Sequence, residues 1–208
     1  WTIIIGTIMI AMALGNLYGG RRADKDPNPD RLYDRIFLAS LWLALIPAVG
    51  KYLIIGISGL LILAIDTHFL VLAALVTCLA VFVFPLFLLG TVTPSLARYC
   101  VEKKEETGGI VGRLGAANTI GSILGTFLPT FLTIPTLGTS LTFLLFAGIL
   151  LLLSLVYFAA GGGTRKKMAL GAVIFLAACV LGHSTSFAFW EDPEKIKYEG
   201  ESTYNYLQ

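Results

Sequence analysis

The sequence predicts an all-α protein: a polytopic bundle of about six transmembrane helices, followed by a short C-terminal β start of a truncated soluble domain. Composition is the first observation behind this prediction. Hydrophobic residues make up 56% of the chain and charged residues 13%, against about 45–50% and about 25% in soluble domains. Charge clustering is the second, since residues 1–20, 69–97, 114–164 and 168–190 carry no charged side chain. A soluble core helix keeps a charged face, so the pattern argues against a soluble domain.

The uncharged stretches are long enough to cross a bilayer as helices, which takes about 20 apolar residues. Helix is the expected conformation, because lipid offers no partner for free backbone N–H and C=O groups. The stretch 114–164 has room for two spans, with a turn at 135–139. The predicted spans are 1–19, 34–50, 69–97, 114–134, 139–160 and 168–188.

Two domains are predicted, a transmembrane domain over 1–190 and the beginning of a soluble domain over 191–208. Charges return in the second segment, and residues 195–199 alternate like a strand. The chain opens inside an apolar run and closes in an unfinished pattern. We therefore expect a fragment that lacks its first helix and most of its soluble domain.

Segment 52–65 is apolar but only 14 residues long, a length more typical of a re-entrant, interfacial or buried segment than of a span. If this segment does not cross, three basic groups share one side of the membrane and only Lys51 faces the other. The positive-inside rule favours that arrangement and places the groups in the cytoplasm. The groups are Arg21, Arg22, Lys25, Arg31 and Arg35; Arg98, Lys103, Lys104 and Arg113; and Arg165, Lys166 and Lys167.

The most distinctive span contains a strip of small residues. Ala117, Gly121 and Gly125 recur every four residues and so share one helix face. Such strips let helices pack closely in membranes, and Asn118, on nearly the same face, is expected to hydrogen bond across helices. Packing is the favoured interpretation and a path for a polar ligand is the alternative, because polar groups are costly in lipid. A homo-oligomer assembled through the strip is compatible with the packing interpretation.

The loop predicted after the first span carries the pattern Gly-x-x-x-Asp-Lys, from Gly20 through Asp24 to Lys25. Gly20 would let the helix end approach a neighbour, and Asp24 would cap or pair near a helix terminus. The pattern resembles the loop signature of major facilitator transporters, so a transporter or half-transporter is one interpretation. A charged turn that ends the span is the other. The sequence shows no internal repeat of the kind common in transporters.

A second resemblance covers nearly the whole chain. Residues 198–208 resemble the opening strands of spermidine synthase domains, in the variety that is fused to a membrane domain. Residues 19–24, 90–98 and 112–125, with the turn at 134–139, are similar to the membrane part of the same family.

The resemblance implies a parent protein that is an aminopropyltransferase in a bacterial inner membrane. In this family an amine of putrescine or another polyamine attacks the carbon beside the sulfonium of decarboxylated S-adenosylmethionine, the co-substrate. Methylthioadenosine leaves, and a carboxylate takes the proton of the amine. The nucleotide loop and this carboxylate follow Gln208 in the family, so no catalytic residue and no cofactor are expected in the chain itself.

Two substrate-binding residues are implied by the same resemblance, Asn205 and its neighbour Tyr204. Soluble members have a Gln at the position of Asn205, where it contacts the nucleoside. The shorter amide of Asn205 departs from that pattern, which puts the donor contact and the exact substrate in question.

Other site classes have little support in the sequence. Cys78, Cys100 and Cys179 lack the spacing of metal ligands, so no metal site is predicted. The basic residues flank the spans, where membrane orientation explains them, so the lipid bilayer and not nucleic acid is the expected partner. Three functions remain: the membrane domain of a fused polyamine synthase, a transporter, or a passive anchor.

Overall fold

The computed structural model describes residues 2–65, 70–101, 107–161, 165–185, 200–201 and 206–207. Over these ranges the chain is almost entirely helical. A π-helical segment, Pro129–Thr133, lies between the fifth and sixth α-helices. The α-helices are α1 (Thr2–Lys25), α2 (Pro29–Ile65), α3 (Leu70–Gly90), α4 (Val92–Cys100), α5 (Thr107–Leu128), α6 (Ile134–Ala160) and α7 (Arg165–Thr185).

Four stretches of the described chain are long and apolar enough to cross a membrane: Thr2–Lys25, Pro29–Ile57, Ala74–Cys100 and Thr107–Ala160. The last has 54 residues, or about 80 Å of helix, enough to cross a hydrocarbon core of about 30 Å twice. Large apolar side chains face outward, as Met9 and Val180 do at 67% and 71% exposure. The helical part of the fold prediction is confirmed in this coarser form, and the count of six spans stays a prediction.

Helix α2 differs most from its predicted span, 34–50. It continues without interruption through Lys51 to Ile65 and has 37 residues. Segment 52–65 is therefore an extension of α2 and not a separate re-entrant piece. A single lysine does not interrupt the backbone hydrogen bonds of a helix, and the long Lys stem can lie along an apolar surface while its amine reaches water.

The turn predicted at 135–139 is present as a break at one residue. Gly138 has φ 81° and ψ 167° inside α6, a conformation that glycine adopts without the steric cost other residues meet. The Thr142 hydroxyl donates to the carbonyl of Gly138 at 2.8 Å and lies 3.1 Å from the Thr133 hydroxyl oxygen. These bonds hold the two sides of the break together.

Helix α3 lies between α1 and α2, and α2 in turn packs on α6 and α7. The Trp42 indole N–H on α2 donates to the carbonyl oxygen of Val81 on α3 at 3.0 Å. A small core forms where α2, α6 and α7 meet, around the buried residues Ala44, Leu144, Ala147 and Ala178. Three of these four are alanines, and small side chains let membrane helices approach closely.

Helix α5 stands apart from this bundle. Among the described elements it contacts only α4 and the π-helical segment, and none of its residues is buried.

The predicted soluble domain has little described structure. Gly200–Glu201 and Tyr206–Leu207 pair as two antiparallel strands of two residues each. A ladder of that length is too short to support the start of a β domain, because isolated hairpins are marginal even when longer. The β start therefore stays a prediction.

Candidate functional site

Three ion pairs and the hydrogen bonds of Tyr99 and Tyr157 lie at one end of the bundle, which we call the basic end. It comprises the end of α1, the start of α2, the ends of α4 and α6, and the start of α7. Asn28 begins α2, because its side-chain oxygen accepts the backbone N–H of Asp30 at 2.9 Å. Pro29 takes the first helical position, where its fixed φ is favourable and its missing N–H is not needed.

Tyrosines connect three helices at the basic end. The Tyr157 hydroxyl on α6 donates to the Asp30 carboxylate on α2 at 2.8 Å. The Tyr157 ring also stacks on Tyr33, with 3.7 Å between ring centroids and 6° between planes. On α4, the Tyr99 hydroxyl donates to the carbonyl oxygen of Asn28 at 3.0 Å. These contacts fix the start of α2 against α4 and α6.

Ion pairs at the basic end join elements that are distant in sequence. Arg98 on α4 lies 3.5 Å from the Asp24 carboxylate, and Lys167 on α7 lies 3.4 Å from that of Asp34. Each pair is solvent-exposed and contributes about 0–1 kcal/mol. The pairs therefore show which helix ends are neighbours and add little to stability. Members of the second and third basic groups lie beside the α1–α2 region that carries the first, as the orientation argument predicts.

The predicted loop motif lies within α1, which continues as helix to Lys25. The motif was expected in a loop and is instead helical. Arg22 and Lys25 lie in the last turn of α1, where their positive charges interact favourably with the negative end of the helix dipole. Asp24 forms the ion pair with Arg98 described above. A Cβ added at Gly20 would make only an ordinary 3.8 Å contact with Pro94, so the close approach expected at Gly20 belongs to its neighbour Gly19.

The packing strip that the structure uses was missed in the sequence. Small residues recur every four positions along α1 and are buried: Thr7, Ala11, Gly15, Gly19 and Ala23. A Cβ at Gly19 would lie 2.6 Å from the Cα of Thr91, and one at Gly90 would lie 2.8 Å from the carbonyl oxygen of Met12. The four-residue spacing of these small residues is the sequence signal that could have identified this strip.

The predicted strip on α5 shares one face as expected, but its surroundings are open. Ala117, Gly121 and Gly125 are exposed, and a Cβ added at either glycine meets no described atom within 4 Å. The Asn118 side chain has no hydrogen-bond partner in the described chain. The Ser122 hydroxyl bonds back to the Asn118 carbonyl within the helix at 2.9 Å. The packing role of this strip therefore stays a prediction.

The predicted substrate-binding residues, Tyr204 and Asn205, lie outside the described residues. Among the described residues, no group of three His, Cys, Asp or Glu side chains is arranged to hold a metal ion. The described chain thus presents a polar helix-end cluster and apolar spans.

Comparison with known proteins gives a partial relationship. No protein-family model matches the chain, and no solved structure matches it. A curated protein, the probable polyamine aminopropyl transferase of Bifidobacterium longum (strain NCC 2705), is 46% identical to it over 54 residues. These residues are 26% of this chain and 12% of that protein. The similarity confirms the coarser part of the predicted resemblance, a limited relationship to a polyamine aminopropyl transferase.

Proposed function

We propose that this chain is the membrane domain of a longer, spermidine synthase-like protein. The parent would transfer an aminopropyl group from decarboxylated S-adenosylmethionine to putrescine or another polyamine. The observation that carries the proposal is the 46% identity over 54 residues to a probable polyamine aminopropyl transferase. Because 54 residues are 12% of that relative, it is about 450 residues long, more than twice the 208 residues of this chain.

The described helices support an anchoring role. The spans are apolar enough for lipid, and tyrosine contacts and ion pairs connect the helix ends at the basic end. Such a cluster keeps the helices in fixed positions, as an anchor requires.

The proposal predicts where the synthase domain lies. Helix α7 starts at the basic end, where Lys167 pairs with Asp34, and its 21 residues carry the chain about 30 Å away from it. If α7 crosses the bilayer, as predicted for residues 168–188, a domain that follows α7 lies across the membrane from the basic residues. Single cysteines introduced at Arg165 and at Gly200, in a chain whose Cys78, Cys100 and Cys179 are replaced by alanine, are labelled in sealed vesicles to test this. Labelling of both from one side contradicts it.

Enzyme activity is the direct test of the proposed function. Membranes that contain the parent protein are supplied with decarboxylated S-adenosylmethionine and putrescine, and spermidine and methylthioadenosine are measured by mass spectrometry. We expect both products in equal amounts, and the transfer activity should sediment with the membranes until detergent is added. Absence of transfer with every diamine tried overturns the proposal. Uptake of labelled polyamine into vesicles without transfer supports the transporter instead.

A substitution tests the predicted donor contact. We expect Asn205→Ala in the parent protein to lower kcat/KM for the aminopropyl donor about tenfold, since loss of one hydrogen bond to a ligand costs about 1–1.5 kcal/mol. Thr203→Ala, at a position of the same segment that the resemblance does not match, is the control and should leave kcat/KM unchanged. Equal effects of the two substitutions contradict the assignment of Asn205.

A further inference from the structure

The basic end has more positive charge than its described carboxylates neutralise. Its four aspartates already have partners within the described chain. Asp24, Asp26 and Asp34 pair with Arg98, Arg31 and Lys167, and Asp30 accepts the Tyr157 hydroxyl. Three cations on either side of the turn from α1 to α2 have no carboxylate within ion-pair distance among the described residues, and we call them the cation cluster: Arg22, Lys25 and Arg35.

An aromatic contact brings the cation of α2 to the cations of α1. Tyr18, Arg22 and Lys25 follow one another at four- and three-residue spacing, so they share one face of α1. The guanidinium carbon of Arg35 lies 5.7 Å from the centroid of the Tyr18 ring, and this ring packs on Phe87 of α3 with 5.4 Å between centroids. A cation over an aromatic face is attracted by the ring. Arg35 is therefore held beside the face that carries Arg22 and Lys25.

The cation cluster lies where the apolar surface of α1 gives way to charge. Residues 1–20 carry no charged side chain, and Leu14 and Leu17 in this part are exposed. The 24 residues of α1 make about 36 Å of helix, which exceeds a hydrocarbon core of about 30 Å. With its apolar part in the core, the last turn of α1 reaches the depth of the lipid headgroups.

We propose that the cation cluster binds the headgroup of an anionic phospholipid. Guanidinium and ammonium groups form charge-assisted hydrogen bonds with phosphate oxygens, and basic residues beside membrane helices attract anionic lipids. A zwitterionic headgroup carries a cation of its own, which the cluster repels. Because the Tyr18 ring already restricts Arg35, this side chain loses less conformational freedom when it binds the phosphate. The exposed leucines of α1 then lie beside the acyl chains of the bound lipid.

Lipid retention measured by native mass spectrometry tests the site. The full chain in detergent micelles is mixed with equal amounts of phosphatidylglycerol and phosphatidylcholine that have the same acyl chains. We expect the chain to retain phosphatidylglycerol at least tenfold better. Arg35→Gln should lower the retention of phosphatidylglycerol about fivefold and leave that of phosphatidylcholine unchanged. Arg113→Gln on α5 is the matched control, since it removes the same charge from an exposed arginine without a described partner, and should change neither.

A pair of substitutions at Tyr18 tests how Arg35 is held. Tyr18→Leu removes the aromatic face and should lower phosphatidylglycerol retention about threefold. Tyr18→Phe keeps that face and should preserve the retention, which separates the role of the ring from that of the hydroxyl.

Three outcomes overturn the proposal. The first is equal retention of the two lipids by the wild type, and the second is an equal loss from Arg113→Gln and Arg35→Gln. The third is displacement of bound phosphatidylglycerol by an equal concentration of inorganic phosphate, which would assign the cation cluster to a free anion. The assay uses no amine and no aminopropyl donor, so its failure leaves the proposed enzyme function untouched.

Discussion

Helices α1 and α5 carry strips of small residues with the same four-residue spacing and opposite surroundings. On α1, Gly15 and Gly19 are buried against backbone atoms of α3 and of Thr91. On α5, Gly121 and Gly125 face open space within the described structure. The spacing thus marks a face that is able to pack closely, but it does not identify the partner. A partner needs its own small residues at the contact, as Gly90 provides for α1.

Of the substitutions that test this comparison, Gly19→Leu should have the largest effect on the free energy of unfolding. The first added atom would lie 2.6 Å from the Cα of Thr91, and a backbone atom cannot rotate out of the way. We expect a loss of about 3 kcal/mol or more in the free energy of unfolding, measured by denaturant titration in detergent micelles.

The matched control for this substitution is Gly121→Leu on α5. An added side chain there meets no described atom, so the free energy of unfolding should change by no more than about 0.5 kcal/mol. A large loss of stability from Gly121→Leu would show that the α5 strip is packed. A negligible loss from Gly19→Leu would show that the α1 strip is not.

Trp42→Phe should have an intermediate effect, because it removes one hydrogen bond from the packed part of the molecule. The indole N–H loses its 3.0 Å bond to the carbonyl of Val81, while an aromatic ring remains beside Phe84. We expect a loss of about 1 kcal/mol in the free energy of unfolding. Tyr52→Phe, at a side chain 61% exposed, serves as the control and should change stability little.

Asn118→Leu should have the smallest effect on the stability of the bundle and should favour insertion of α5. The exposed amide has no partner in the described chain, and leucine contributes about 0.5 kcal/mol toward membrane insertion at a helix centre. Glycosylation mapping of α5 insertion measures the gain. A substantial loss of folding stability would show instead that Asn118 bonds across helices, as the sequence predicts.

The helical spans were predictable because uncharged stretches leave few alternatives in lipid. The expected turn near 135–139 is located at Gly138, whose conformation suits a residue without a side chain. Helices α1 and α2 continue past the predicted span ends at residues 19 and 50, where charged residues had been taken to end the segments. Lysine and arginine are good helix formers, so a charged residue does not by itself end a helix.

The polar cluster and the packed strip depended on tertiary structure. Asp30 and Tyr157 are 127 positions apart, and no local pattern joins them. The strip on α1 has the same sequence signal as the strip on α5, and each helix also carries an asparagine, so only the tertiary contacts distinguish the two strips. The roles of Tyr204 and Asn205 rest on the family resemblance alone.

The length of α2 has a consequence for how the protein sits in its membrane. Its 37 residues correspond to about 55 Å of helix, whereas hydrocarbon cores measure about 30 Å. Tyr52, Ile55 and Leu60 near its far end are apolar or amphipathic and exposed, so this end gains by staying in lipid. Tilting and local thickening of the bilayer are the ways to accommodate such a mismatch. Bilayers of longer or shorter acyl chains will therefore hold the helix at different angles.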